Sequence, residues 1–171
     1  VAEWSELLSE LVQSRGSELK RYGFLLCGDR TEASDLVQDA LVRVFTHPHR
    51  SWTVGDVEGY VRRTMLNRFL DLHRRRARLA QLLPRLVQKP TVPDHGAASA
   101  HRLDLLTALD SLSPRQRACV VLRYYEDRSV ADVAERLNAS PGTVKRHLSD
   151  ALVRMGKALD IQREAPVGGN K

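Results

Sequence analysis

Apolar side chains recur every three or four positions along most of the chain, and clean every-second-residue alternation is almost absent. A repeat near 3.6 residues marks helices with one buried face, so the pattern predicts an all-α protein. Trp4, Leu7, Leu8, Leu11 and Val12 mark one face of a first helix, and Leu19, Tyr22, Leu25 and Leu26 continue the stripe after Gly16. "CGDR" interrupts it, with Gly28 placed as a C-terminal cap. A second helix runs through "TEASDLVQDALVRVF". Ala33, Leu36, Val37, Ala40, Leu41 and Val44 form its apolar face, and Asp35, Gln38, Asp39 and Arg43 a polar one. Pro48 cannot continue it.

Residues 47–57 read as a loop holding Trp52 and Gly55. A long helix follows, "VEGYVRRTMLNRFLDLHRRRARLAQLL", with Val57, Tyr60, Val61, Thr64, Met65, Leu66 and Leu72 available for its inner face. The periodicity then lapses. "PRLVQKPTVPDHGAASA", with three prolines, a glycine and small residues, reads as a linker. Helices resume at His101. Leu103, Leu106, Leu109 and Leu112 are expected to be buried, and Ser113 and Pro114 open the next helix as cap and first residue. The pattern therefore divides the chain into two small helical domains, 1–83 and 101–160, joined by a linker at 84–100, with a disordered tail at 161–171.

Within the second domain, "SVADVAERLNASPGTVKRHLSDALVRM" has the form of a helix-turn-helix. Val130, Val133, Ala134 and Leu137 face inward. Asn138 and Ala139 make the corner, asparagine being one of the few residues that tolerates a left-handed backbone. Ser140 caps the second helix, and Val144, Leu148, Ala151, Leu152 and Met155 point back to the core. Thr143, Lys145, Arg146, His147, Ser149 and Asp150 are left outward or at the flank. Lys145, Arg146 and Ser149 sit where a recognition helix meets a groove, and lysine and arginine can bond guanine edges or phosphates.

Charge extends this picture. Of 171 residues, 27 are Lys or Arg and 21 Asp or Glu, a net charge of +6 that favours a polyanionic partner. Seven of the cations (Arg62, Arg63, Arg68, Arg74, Arg75, Arg76 and Arg78) lie on the long helix of the first domain, with Asp71 as the one carboxylate in the middle of the run. Acidic partners for them are missing from the local sequence, so phosphates would satisfy the field. An anionic membrane would too, but the helix lacks a broad apolar face for lying in lipid. Asn67, among these cations, could bond a base edge. Two basic modules on one chain, with an extended linker reaching about 70–80 Å, could touch two DNA elements.

Other chemistries find little support. Cys27 and Cys119 are far apart and form neither a CxxC nor a metal-ligand pattern, and the pair in "HPH" at 47–49 has no nearby ligands. No metal or cofactor is expected. There is no nucleophile elbow, phosphate loop, HExxH or paired acid and base, so no catalytic residue is expected either. No run approaches a membrane span, and the acidic amphipathic N-terminus is unlike a secretory signal, so a cytoplasmic location is expected. A stand-alone DNA-binding regulator would account for the helix-turn-helix, but not for the polar face of "DLVQD". A structural scaffold leaves the arginines unexplained.

Four stretches in order, "GDRTEASDLVQDALVRVF", "YVRRTMLNRFLDLHRRR", "LSPRQRACVVLRYYEDRSVADVAERL" and "SPGTVKRHLSDALVRM", resemble the extracytoplasmic-function (ECF) group of bacterial RNA polymerase sigma factors, especially its actinobacterial E subgroup. They cover most of 19–156. The resemblance implies sigma domains two and four, binding to core RNA polymerase, and promoter recognition with help in promoter melting. It implies that Asp35, Gln38, Asp39 and Arg43 grip the clamp of the largest catalytic subunit, while the flap of the second-largest subunit is a further contact. It assigns Trp52, Asn67, Arg68, Asp71, Arg74 and Arg75 to the −10 element, where a base is flipped from the non-template strand. Trp52 is nevertheless expected to pack against the helices rather than stack on a base. It assigns Ser140, Thr143, Lys145, Arg146 and Ser149 to the −35 element. An anti-sigma factor is a partner the resemblance admits, and no appended sensor domain is expected beyond residue 160. The chain departs from the family at His147 and Asp150, where many relatives carry arginine or another neutral or basic residue, and at Tyr60, where the family has tryptophan.

Overall fold

The computed structural model describes residues 2–48, 51–83 and 99–164, and the chain forms two compact units, Val1–Asp94 and His95–Lys171. The predicted linker at 84–100 lies outside the described residues except for Ser99 and Ala100, as do His49 and Arg50 of the first loop and residues 165–171 of the tail. All regular elements among the described residues are helices. No described helix is long and apolar enough to cross a membrane.

The first unit packs three helices, α1 (Ala2–Cys27), α2 (Arg30–Phe45) and α3 (Val54–Leu82), each against the other two. The apolar stripe of α1 runs unbroken past Gly16. Its end follows from Gly28, whose φ of 75° is a left-handed conformation that glycine adopts without a Cβ penalty. Asp29 then caps α2, its carboxylate accepting from the Glu32 N–H at 2.9 Å. The core consists of Trp4, Leu8, Leu11, Leu19, Tyr22 and Leu26 from α1, Ala33, Leu36, Val37, Ala40 and Val44 from α2, and Val57, Val61, Met65, Leu66, Phe69 and Leu70 from α3. Gly23 allows the close approach at its centre. A Cβ there would lie 3.2 Å from both the Ala33 carbonyl oxygen and the Met65 methyl group.

Several expectations need correcting. The loop predicted for 47–57 is shorter, because Thr53 and Asp56 form a reciprocal capping box that starts α3 at Val54. Phe69 and Leu70 are buried though absent from the expected inner face, whereas Leu72 and Tyr60 are only half-buried. Val12 is exposed. On a three-helix unit the buried stripe shifts around a 29-residue helix as different neighbours cover it, so one straight face cannot describe α3.

The second unit contains α4 (Ala100–Asp110), α5 (Pro114–Val120), α6 (Val130–Leu137) and α7 (Pro141–Glu164), with α7 packed against the other three. Ser113 caps α5 in a box with Gln116, and Pro114 stands in its first turn. A wider π turn, Val121–Tyr125, extends α5. The N–H of Glu126 reaches the Val121 carbonyl at 3.1 Å, and Asp127 then turns the chain at φ 52°. Leu106, Leu109 and Leu112 are buried as expected, but Leu103 is exposed. Leu152 is also exposed, at 52%. The predicted tail is helical through Glu164, since Leu159 to Glu164 are acceptable helix formers and the first breaker is Pro166.

Gln116 and Arg117 are buried polar residues that periodicity did not single out. Arg117 Nη1 donates to Asp110 Oδ1 at 2.7 Å, tying the start of α5 to the end of α4. Removing Asp110 would leave the buried Arg117 charge without this partner, which would be strongly destabilising.

Candidate functional site

Helix α2 buries one face and shows the other. Asp35, Gln38, Asp39 and Arg43, at i, i+3, i+4 and i+8, are all exposed, so the expected polar stripe is displayed as a unit. Val42 and Phe45 are 65% and 52% exposed and continue the same side by helical spacing. They were not singled out from sequence, although their lying off the buried stripe was the available signal.

Between α2 and α3 lies a groove of about 240 Å³, lined by Cys27, Glu32, Asp35, Leu36, Asp39, Arg68, Phe69, Leu72, His73 and Arg76. Two ion pairs cross it. Arg68 Nε donates to Asp39 Oδ2 at 3.2 Å, and Arg76 Nη2 to Glu32 Oε1 at 2.8 Å. The expectation that the arginines of α3 lack acidic partners is therefore incorrect for several of them. Arg62 contacts Glu58 at 2.6 Å and Arg74 contacts Asp71 at 2.7 Å within α3. Local sequence could not reveal the partners of Arg68 and Arg76, because those carboxylates arrive from α2.

These ion pairs divide the expected −10 set. Arg68 turns toward α2 together with Leu72 and Arg76, at i, i+4 and i+8. Asn67, Asp71, Arg74 and Arg75 share an adjoining stripe with Arg63 and Arg78. Asn67, Arg63, Arg75 and Arg78 are exposed and meet no carboxylate among the described residues. Trp52 packs in an aromatic group. Its ring centroid is 6.1 Å from that of Trp4 and 5.1 Å from that of Tyr60, edge-on to the latter. Trp4 Nε1 also donates to the Phe45 carbonyl at 3.2 Å, so this group fastens the end of α2 and the start of α3 onto α1.

In the second unit, Asn138 adopts the left-handed conformation expected at the corner, φ 49° and ψ 51°. Asp132 and Ser129 form a capping box at the start of α6. The Ser129 hydroxyl and N–H hold the Asp132 carboxyl below its ordinary pKa of 3.8. The Ser140 hydroxyl accepts from the Thr143 N–H at 3.1 Å and lies 2.9 Å from the Thr143 hydroxyl. Ser140 thus caps α7, and the hydroxyls of these two predicted DNA-binding residues orient each other. Val144, Leu148 and Ala151 anchor α7 inward, leaving Lys145, Arg146, Ser149 and Asp150 exposed. Arg115 Nη1 donates to the Leu137 carbonyl at 3.4 Å, adding a cation beside the corner that sequence reasoning did not single out. Cations on the first turns of an exposed recognition helix fit duplex DNA. No group of three or more potential metal ligands occurs among the described residues.

The family comparisons agree with this two-part arrangement. Sigma-70 region 2 matches residues 11–79, and sigma-70 region 4 matches residues 102–155. The RNA polymerase sigma-E factor of Streptomyces coelicolor is 36% identical over 155 residues, covering 88% of this chain and 84% of that protein. The sigma-E factor of Streptomyces avermitilis is 34% identical over 151 residues, with coverage of 88% and 84%. The ECF sigma factor SigL of Mycobacterium tuberculosis is 32% identical over 154 residues, covering 85% of each. Among solved structures, the sigma factor RpoE of Bartonella quintana, crystallised with the anti-sigma factor NepR, matches with a TM-score of 0.65 at 22% identity, over 94% of this chain and 99% of that one, a likeness of fold. With region 2 on the three-helix unit and region 4 on the helix-turn-helix unit, the chain belongs to the extracytoplasmic-function sigma factors, the promoter-recognising subunits of bacterial RNA polymerase.

Proposed function

We propose that this sigma factor divides its work among three surfaces. Asp35, Gln38, Asp39 and Arg43 on α2, flanked by Val42 and Phe45, dock on the clamp of the largest polymerase subunit. Asn67, Asp71, Arg74 and Arg75 on α3, with Arg68 beside them and the loop around Trp52, receive the −10 element. Lys145, Arg146 and Ser149, with Ser140 and Thr143 setting the start of their helix, read the −35 element, while the second unit also meets the flap of the second-largest subunit. The observation that carries this division is the pair of unlike surfaces on adjacent helices, an acid-and-amide stripe on α2 and an arginine stripe on α3.

Physical chemistry sets what each surface must do. A flipped base costs a few kcal/mol of unstacking, which pocket contacts and phosphate pairing must offset. The exposed α3 arginines supply the phosphate part, with a salt dependence that follows from counterion release. Asp150 beside Lys145 and Arg146 opposes phosphate on that face, so fewer backbone contacts and a distinct −35 preference follow. The chain contributes recognition and polymerase contributes catalysis. An anti-sigma protein is a further proposed partner, and the cytoplasm the proposed location.

The test is transcription in vitro with purified core polymerase and a library of promoter sequences. The expected result is initiation at one promoter class only when the chain is added. Sequence-specific DNA binding by the chain without any initiation would replace this reading with that of a stand-alone regulator.

A further inference from the structure

The residue assigned to polymerase and the residue assigned to DNA are bonded to each other. Asp39 is half exposed, at 52%, while its partner Arg68 is 22% exposed, so the carboxylate is the reachable member of the pair. One turn away from Leu72, the Glu32–Arg76 pair repeats the arrangement across the same groove. In both pairs, a carboxylate from α2 neutralises an arginine from α3. The neighbouring Asp35 lines the same groove yet meets no cation within ion-pair distance among the described residues.

We propose, resting on the polymerase-docking role given to α2, that Asp39 is an alternating partner that couples the two binding events. In the free chain it occupies Arg68 and lowers the affinity of α3 for phosphate. When a cationic group of polymerase captures Asp39, Arg68 loses its carboxylate and is released to the DNA backbone. By linkage, DNA bound to Arg68 frees Asp39 for polymerase to the same degree. Glu32 and Arg76 form a second, weaker gate of the same kind, since both are more exposed than Arg68. The device selects the assembled polymerase over the free chain for promoter engagement, using side chains already in place.

The test uses the full chain and a fluorescently labelled, mixed-sequence single-stranded DNA 20-mer, with binding followed by anisotropy across a salt series. Asp39→Asn removes the competitor and keeps the shape. It is expected to tighten binding about two- to fivefold, as the removal of one exposed ion pair allows. It should also steepen the salt dependence by about one released counterion. Asp35→Asn removes the same unit charge from the same helix without freeing an arginine, and is expected to change affinity by less than half as much. Equal gains from the two variants would reduce the effect to a general field and overturn the proposal, as would an unchanged affinity in Asp39→Asn. Arg68→Ala combined with Asp39→Asn should abolish the gain; a gain that persists would also overturn it. This measurement contains no polymerase, so co-elution of the wild-type chain with core polymerase tests the parent reading separately.

Discussion

Asp39 Oδ2 and Arg68 Nε lie 3.2 Å apart and join the exposed stripe of α2 to the groove side of α3. The two residues are 29 positions apart in sequence, yet a change in one alters the electrostatic surroundings of the other. Substitutions on either surface therefore need a readout for both partners.

Charge reversal at Asp39 should separate polymerase binding from folding. In Asp39→Lys, an ammonium replaces the carboxylate that polymerase is proposed to hold and also faces Arg68. Loss of a paired interfacial charge costs about 2–5 kcal/mol, so co-elution with core polymerase should fall by more than an order of magnitude. Hydrogen exchange in α4–α7 of the same variant should be unchanged.

Lys145→Ala combined with Arg146→Ala should weaken promoter binding while polymerase assembly persists. Each residue is worth about 1–3 kcal/mol if it bonds a base edge. If it bonds a phosphate instead, its removal lowers the salt slope by about one. Duplex −35 binding by the assembled polymerase, measured across a salt series, distinguishes the two. Equal loss of polymerase assembly would point to a folding defect in α7.

The corner of the helix-turn-helix should respond to backbone chemistry alone. Asn138 is exposed and left-handed, so Asn138→Ala keeps the Cβ but removes the short polar side chain that eases this conformation, at a cost of no more than about 1–2 kcal/mol. Asn138→Gly should be neutral or better, because glycine is preferred at that cap. Thermal unfolding followed through the amides of α6 and α7 should show a lowered transition for alanine only.

Acid should loosen the helix starts before the cores. Asp56 is held below its ordinary pKa of 3.8 by hydrogen bonds from Thr53, backbone first, and Asp132 by those from Ser129, side chain first. A carboxyl with a lowered folded pKa contributes stability above 3.8 that is lost as pH falls through its folded value. Amide protection at the first turns of α3 and α6 should therefore decline below about pH 4. Asp132→Asn should flatten that decline in α6 and leave α3 as it was.

The thiols should differ in reactivity. Burial pushes the Cys119 thiol up to about 11, whereas Cys27 is half-exposed at the edge of the α2–α3 groove. At pH 8, an alkylating reagent should modify Cys27 first and reach Cys119 only on unfolding, since the thiolate is the reacting form. Peptide mass analysis after timed labelling resolves the order.

Much of this architecture was legible because it rests on local rules. Gly28, Ser113–Pro114, Asn138 and Ser140 each mark a boundary by backbone preference or side-chain capping, and each stands where expected. The exposed polar stripe of α2 follows from one periodicity. Less accessible were features fixed by what another helix brings. Leu152 has the spacing of a core residue but stays half exposed, and Phe69 and Leu70 are buried because helices cover that side of α3. The partners of Arg68 and Arg76, and the pairing of buried Arg117 with Asp110, depend on approaches between elements that hydropathy along the chain does not encode.

The aromatic group of Trp4, Trp52 and Tyr60 contains both tryptophans of the chain, while the aromatic rings of the second unit are Tyr124 and Tyr125. Intrinsic tryptophan emission is thus an optical channel confined to the first unit. On the role proposed for the loop around Trp52, a base arriving there would quench it, whereas the second unit has no tryptophan of its own to report an event on the recognition helix. On the proposed division, emission of the unlabelled protein can therefore follow the −10 half of promoter engagement, while total DNA binding follows both halves.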